Sequence, residues 1–264
     1  MKNAFLSLPI LLVLLVGCEQ TQKKNTTTID LVADGSMAAT TAAIKIYPVE
    51  HATAVIEWGD ITVYIDPVGS VETLSAYKSP DLILITDIHG DHFSPETLEA
   101  LQTEKAKIVV PQAVADKMPA NFAPQLDVLN NGDTKERYGI LIEAVPMYNL
   151  REEAKSFHEK GRGNGYVLTM GGERLYFSGD TEDIPEMRAL KNIDKAFVCM
   201  NLPYTMTEES AADAVLEFQP KEVYPYHYRG RPEVSDVKKF SELVAAKNPN
   251  IIVVQLDWYP NDPF

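Results

Sequence analysis

The chain has 264 residues, with 38 acidic against 24 basic side chains, and a formal net charge of −14. An acidic chain without a basic run argues against nucleic acid or an anionic lipid face as a partner, since both reward clustered Lys and Arg. Two Cys are too few for a disulfide framework.

Met1–Gly17 reads as a targeting segment. Lys2 supplies a short positive region, and the apolar stretch that ends in Pro9–Val16 is too short for a membrane span. Leu15-Val16-Gly17-Cys18 resembles the bacterial lipoprotein signal, which implies cleavage before Cys18 and lipidation of its thiol. The expected location is the cell envelope, with the membrane as partner through the N-terminal lipid anchor. Glu19 is not the Asp-type signal for inner-membrane retention, so the periplasmic side of the outer membrane is favoured. Residues 18–43 are rich in Thr, Ala and Lys without periodicity and read as a flexible tether. Residues 44–264 are enough for one domain with a sizeable core.

IKIYPV, TAVIEWG and ITVYIDP (residues 44–67) are β-rich, and Gly59-Asp60 reads as a hairpin turn. His51 precedes the second of these strands and Asp66 ends the third. The stretch DLILITDIHGDHFSP (81–95) follows. Residues 81–86 form a buried-strand pattern. Asp87, His89, Asp91 and His92 then fall within six residues, and Ser94-Pro95 opens a helix with Ser94 as its cap. Imidazole and carboxylate are the usual ligands of catalytic zinc, and carboxylate-rich sets also suit manganese or iron.

Beyond this loop the chain alternates. A helix over 95–102, a strand over 107–110 and a helix over 112–118 give a βαβ rhythm. LDVLNNGD and GILIEAVPMYN read as strands. Residues 150–165 form a charged, Gly-rich insertion carrying His158 and Arg162, the latter expected to be solvated. YVLTMGGERLYFSGD is a hairpin ending at Asp180-Thr181. Helix 184–191, strand 195–201, helix 206–219, the strand EVYPYHY with His227, helix 235–247 and a closing strand IIVVQLDW complete the chain. Cys199 lies in the apolar run AFVCM and reads as an inert core thiol.

Asp-x-His-x-Asp-His after an apolar strand, followed by Gly-Asp-Thr and a strand-end His, resembles the metallo-β-lactamase fold hydrolases, in particular the simple metal-dependent hydrolases of the UlaG-like and lactonase-like branch. The family signature begins with His, where this chain has Asp87. The resemblance implies an α/β fold, an αββα sandwich, over residues 44–264. It implies two divalent metal ions, with zinc first and manganese or iron as alternatives. One ion would take Asp87, His89 and Asp180, with His158 as a further ligand or as a substrate contact. The other would take Asp91, His92, Asp180 and His227. In the family an Asp at the place of Asp66 supports the ligand loop through hydrogen bonds, and His51 falls near the site mouth. The implied activity is hydrolysis of a small-molecule ester, lactone or phosphodiester by a hydroxide made available at the metal centre, with Asp91 taking a proton. Many relatives self-associate. The alternative, resting on Asp87, is a metal- or ligand-binding envelope lipoprotein without turnover.

Overall fold

The computed structural model describes Met1 and residues 42–260; the leader, Cys18 and nearly all of the expected tether lie outside the described residues. The domain is built from two halves with the same plan. In the first, β1 (Ile44–Glu50), β2 (Thr53–Trp58) and β3 (Ile61–Ile65) form an antiparallel meander. The chain then adds β4 (Leu82–Leu84), β5 (Lys107–Val110) and β6 (Leu126–Val128) in parallel, crossing over through α1 (Val71–Leu74), α2 (Pro95–Ala100) and α3 (Gln112–Ala115). In the second, β7 (Thr134–Arg137), β8 (Ile140–Met147), β9 (Gly163–Met170) and β10 (Glu173–Phe177) are antiparallel. β11 (Lys195–Cys199), β12 (Glu222–Tyr226) and β13 (Ile252–Val253) follow in parallel, with α4 (Pro185–Arg188), α5 (Glu208–Phe218) and α6 (Val237–Lys247) between them.

The side-chain alternation of the first sheet explains its layers. Ala54, Ile56, Val63, Ile65, Leu82 and Leu84 point to one face and share a core with Ile142, Leu168, Leu175 and Phe177 of the second sheet. Val55, Tyr64, Ile83, Ile108 and Val110 point to the other and pack against Leu74, Leu98 and Val114 of α1–α3. Both faces are covered, so these strands carry continuous apolar runs instead of alternation. On the far face of the second sheet, Phe218 of α5 meets Tyr176 edge-on at 6.2 Å. The result is the helix–sheet–sheet–helix sandwich expected from the sequence. Ser94 caps α2 as expected, its hydroxyl accepting from the Thr97 N–H. No helix among the described residues is long and apolar enough to cross a membrane.

Three elements differ from the sequence expectation. Residues 134–137, TKER, form an edge strand that the polar sequence hides; it is held by pairing to β8, from Thr134↔Glu143 to Arg137↔Ile140. β9 begins at Gly163, inside the expected insertion, because Gly163 pairs with Met147 and the Asn164 N–H donates to Thr86 O at 2.9 Å. The closing strand is only two residues long. The chain beyond it turns toward the site, where Trp258 O accepts from the His51 N–H at 3.2 Å.

Cys199 is fully buried, and burial pushes its thiol up to about 12, consistent with an inert core residue. Phe197 is the packing centre of the second sheet: it stacks on Phe177 at 4.3 Å and Tyr224 at 4.6 Å and meets Trp258 edge-on. Phe197→Ala is expected to cost about 3–5 kcal/mol in denaturant unfolding. Leu141→Ala, on a side chain 39% exposed, is expected to stay within about 0.5 kcal/mol of the parent.

Candidate metal centre

The ends of β4, β10 and β12 converge with the β8–β9 loop. After β4 the chain curls: the His92 and Phe93 N–H groups both donate to His89 O, at 3.0 and 2.8 Å, which turns His92 back under the loop. After β10, Gly179 sits at φ +60, and a Cβ there would lie 2.5 Å from Met147 Sδ. Glycine takes this positive φ without strain, and it delivers Asp180 beside the β4 loop. At the end of β12, His227 has φ +49; His51 and Asp66, facing it from the first sheet, have φ +54 and +42. Three non-glycine residues in the left-handed region at one place are strained backbone held by its surroundings.

Asp91, His92, Asp180 and His227 bring one ligand atom each within 4.8 Å of one another. His92 Nε2 lies 3.5 Å from Asp180 Oδ2 and 3.9 Å from Asp91 Oδ1. His227 Nε2 lies 3.4 Å from Asp91 Oδ2 and 3.5 Å from Asp180 Oδ1. The two imidazoles stack at 4.9 Å. Beneath them the fully buried Asp66 accepts from the Thr86 N–H at 2.7 Å and hydroxyl at 2.6 Å, and from His92 Nδ1 at 2.8 Å. This orients the His92 ring through its Nδ1 and turns Nε2 into the cluster, the arrangement found behind metal-bound imidazoles. Asp66 thus supports the loop as expected.

The cluster is short of positive charge. His92 Nε2, Asp180 Oδ1 and both ring nitrogens of His227 are buried without a hydrogen-bond partner. Burial opposes charge on His92, but Asp180, Asp91 and Asp66 outweigh it and hold the imidazole well above its ordinary proton affinity. Burial likewise opposes ionisation of Asp180, yet His227 and His92 hold its carboxyl well below the usual range. Buried polar groups are normally paired. Convergent ring nitrogens and carboxylate oxygens that draw positive charge fit a divalent cation.

His51 packs on this cluster, its ring 3.7 Å from that of His227 and its Nε2 3.4 Å from Asp91 Oδ2. Burial and His227 push it down to about 4, so it is neutral near pH 7. Its Nδ1 meets the Tyr259 hydroxyl at 2.6 Å.

Asp87, His89 and His158 form a second group of the same tightness. His89 Nδ1 donates to Asp87 Oδ2 at 2.8 Å, and His158 Nε2 lies 3.2 Å from Asp180 Oδ2. Arg162 corrects the sequence reading. It is not solvated: its guanidinium grips the fully buried Asp87 with two bonds, Nε to Oδ1 at 3.0 Å and Nη2 to Oδ2 at 2.8 Å. A carboxylate buried at the end of a strand needs a cation, but nothing local in the sequence names Arg162 as its partner. Asn149 and Tyr259 were also missed; neither carries a sequence signal of its own. A cavity of about 490 Å³ opens above both groups, lined by His51, His89, Asp91, Phe157 and Tyr204 among others.

The sequence profile described as Beta-lactamase superfamily domain matches residues 45–227. A UPF0173 metal-dependent hydrolase of Thermococcus onnurineus is 31% identical over 219 residues, 80% of this chain and 96% of its own. Among solved structures, a Parabacteroides distasonis protein described as a metal-dependent hydrolase superposes with a TM-score of 0.72 at 35% identity, over 80% of this chain and 92% of its own. The metallo hydrolase Igni18 of Ignicoccus hospitalis shares the fold, with a TM-score of 0.68 at 23% identity over 81% and 94%. The chain belongs to the metallo-β-lactamase superfamily, and within it to the UPF0173 metal-dependent hydrolases.

Proposed function

We propose that this metal-dependent hydrolase cleaves a small ester, lactone or phosphodiester, and does so in the cell envelope, held by a lipid on Cys18. The observation that carries the reading is the set of buried, unpartnered atoms on His92, His227 and Asp180. A protein without a cation there would keep that cost with no return in stability.

His92, His227, Asp91 and Asp180 would hold the ion. When bound, a divalent cation supplies Lewis acidity and makes water a nucleophile near neutral pH. The remaining work belongs to the chain. Asp66 and Thr86 hold the His92 ring in one orientation. The Asp91 side chain is 43% exposed, so it faces the cavity and is placed to take a proton from the attacking water. Phe157 and Tyr204, edge-on at 5.1 Å, make an apolar wall for the substrate. Arg231 brings a positive charge to the cavity of an acidic protein, which favours a substrate with an anionic group. Zinc suits the two-imidazole, two-carboxylate set, and the carboxylates extend it to manganese or iron.

Elemental analysis of the full chain beside Asp180→Ala, with hydrolysis of lactone and phosphodiester panels, tests the reading. The parent is expected to carry metal and turn over; Asp180→Ala is expected to lose both. Metal without any turnover would favour the non-catalytic binding lipoprotein instead, and no metal in either would sink the hydrolase and leave a ligand-binding lipoprotein on the same fold. Asp66→Asn is expected to weaken metal affinity about 10–100-fold while the fold persists, read by competition with a chelator. Cys18→Ser is expected to release the protein from membranes on fractionation; retention in the membrane would contradict the anchor.

A further inference from the structure

The two ligand clusters differ in one respect: the second already contains a cation. We infer that the protein works with a single metal ion, and that the Arg162 guanidinium stands in for a second one beside Asp87. The inference rests on the reading that Asp91, His92, Asp180 and His227 hold metal.

Three observations carry it. First, Asp87 is committed. Arg162 engages both of its oxygens at 3.0 and 2.8 Å, and His89 Nδ1 engages Oδ2 at 2.8 Å. Bidentate guanidinium–carboxylate pairing is the strongest such contact available to these groups. The Arg is placed by construction: Nη2 also donates to Phe157 O, and the next residue, Gly163, runs so close to the end of β4 that a Cβ would lie 2.9 Å from Thr86 O. A dication coordinated by Asp87 would face that guanidinium across one carboxylate.

Second, His158 is engaged at both ring nitrogens: Nδ1 lies 3.2 Å from the Asn149 amide nitrogen and Nε2 3.2 Å from Asp180 Oδ2. The Asn149 amide is itself held by two carbonyls, Ala154 O at 2.8 Å and Tyr204 O at 2.7 Å. His158 is a positioning residue for the Asp180 carboxylate.

Third, the unpartnered ligand atoms are confined to one side. Among the described residues, the first cluster contributes four buried atoms without a partner; Asp87, His89 and His158 contribute none. With Asp87 and His158 engaged, the second side keeps only His89 and the shared Asp180, fewer than the three protein ligands usual for a resident catalytic ion.

The test is a cobalt(II) titration of the metal-free full chain, with bound metal counted by elemental analysis. The parent is expected to take one equivalent, and Asp87→Ala is expected to keep that one. Arg162→Ala frees Asp87 to join His89 and Asp180, and is expected to take two. Two equivalents in the parent, loss of an equivalent in Asp87→Ala, or a single equivalent in an Arg162→Ala protein with native circular dichroism would overturn the inference. If Arg162→Ala does not fold, the parent and Asp87→Ala decide alone. No metal in the parent would instead strike at the proposed hydrolase itself and remove this inference with it.

Discussion

The structure depends on a concentration of negative charge that its own side chains do not neutralise. Asp91 and Asp180 converge with two imidazoles within 4.8 Å, and a third carboxylate, Asp66, backs His92 from below. Two unit charges at that separation repel by about 3 kcal/mol at an effective dielectric of about 20. Burial removes the water that would otherwise relieve them. A dication among four such ligands turns that repulsion into attraction, which is why the arrangement makes sense as a cation site and not as a packed core. Metal affinity here is also part of the folded state's stability, because the unfolded chain has no such cradle.

The fold supplies what this cluster needs. Each half runs an antiparallel meander into parallel crossovers, so several strand ends point toward the same edge. The two sheets then bring β4 of one against β10 and β12 of the other. The cost appears in the backbone. His51, Asp66 and His227 hold left-handed conformations, each worth on the order of 1 kcal/mol or more for a non-glycine residue. The large, two-sided apolar core offsets that strain. The same rigidity explains how Arg162 and Asp87 can be matched: one lies at the start of β9 and the other just past β4, two positions locked by the Asn164–Thr86 backbone bond.

Much of this was legible in the chain. The apolar runs of β2–β5 and β8–β12 are buried on two sides and survive as continuous patterns, and Asp-x-His-x-Asp-His, Gly-Asp-Thr and the His after EVYPY each sit at a strand end, where a ligand must be. Asp66 was read from the family resemblance, since an Asp before Pro at a strand end is also a common turn former. What was not legible depends on contacts between distant segments. The edge strand TKER has no apolar alternation and exists only by pairing with β8. Arg162 looks like one more charge in a Gly-rich loop until the fold sets it, from 75 positions away, against Asp87. The place of His158 is set by Asn149 and, through it, by carbonyls of residues 154 and 204. No local pattern encodes such a chain of bonds.

The measurement that tests the central claim most directly is anomalous diffraction from crystals of the metal-replete protein, recorded at the absorption edge of the metal found in it. The account predicts one strong peak enclosed by Asp91, His92, Asp180 and His227, with the Arg162–Asp87 pair intact beside it. An empty cluster, with the unpartnered imidazoles satisfied by some other group, would contradict it.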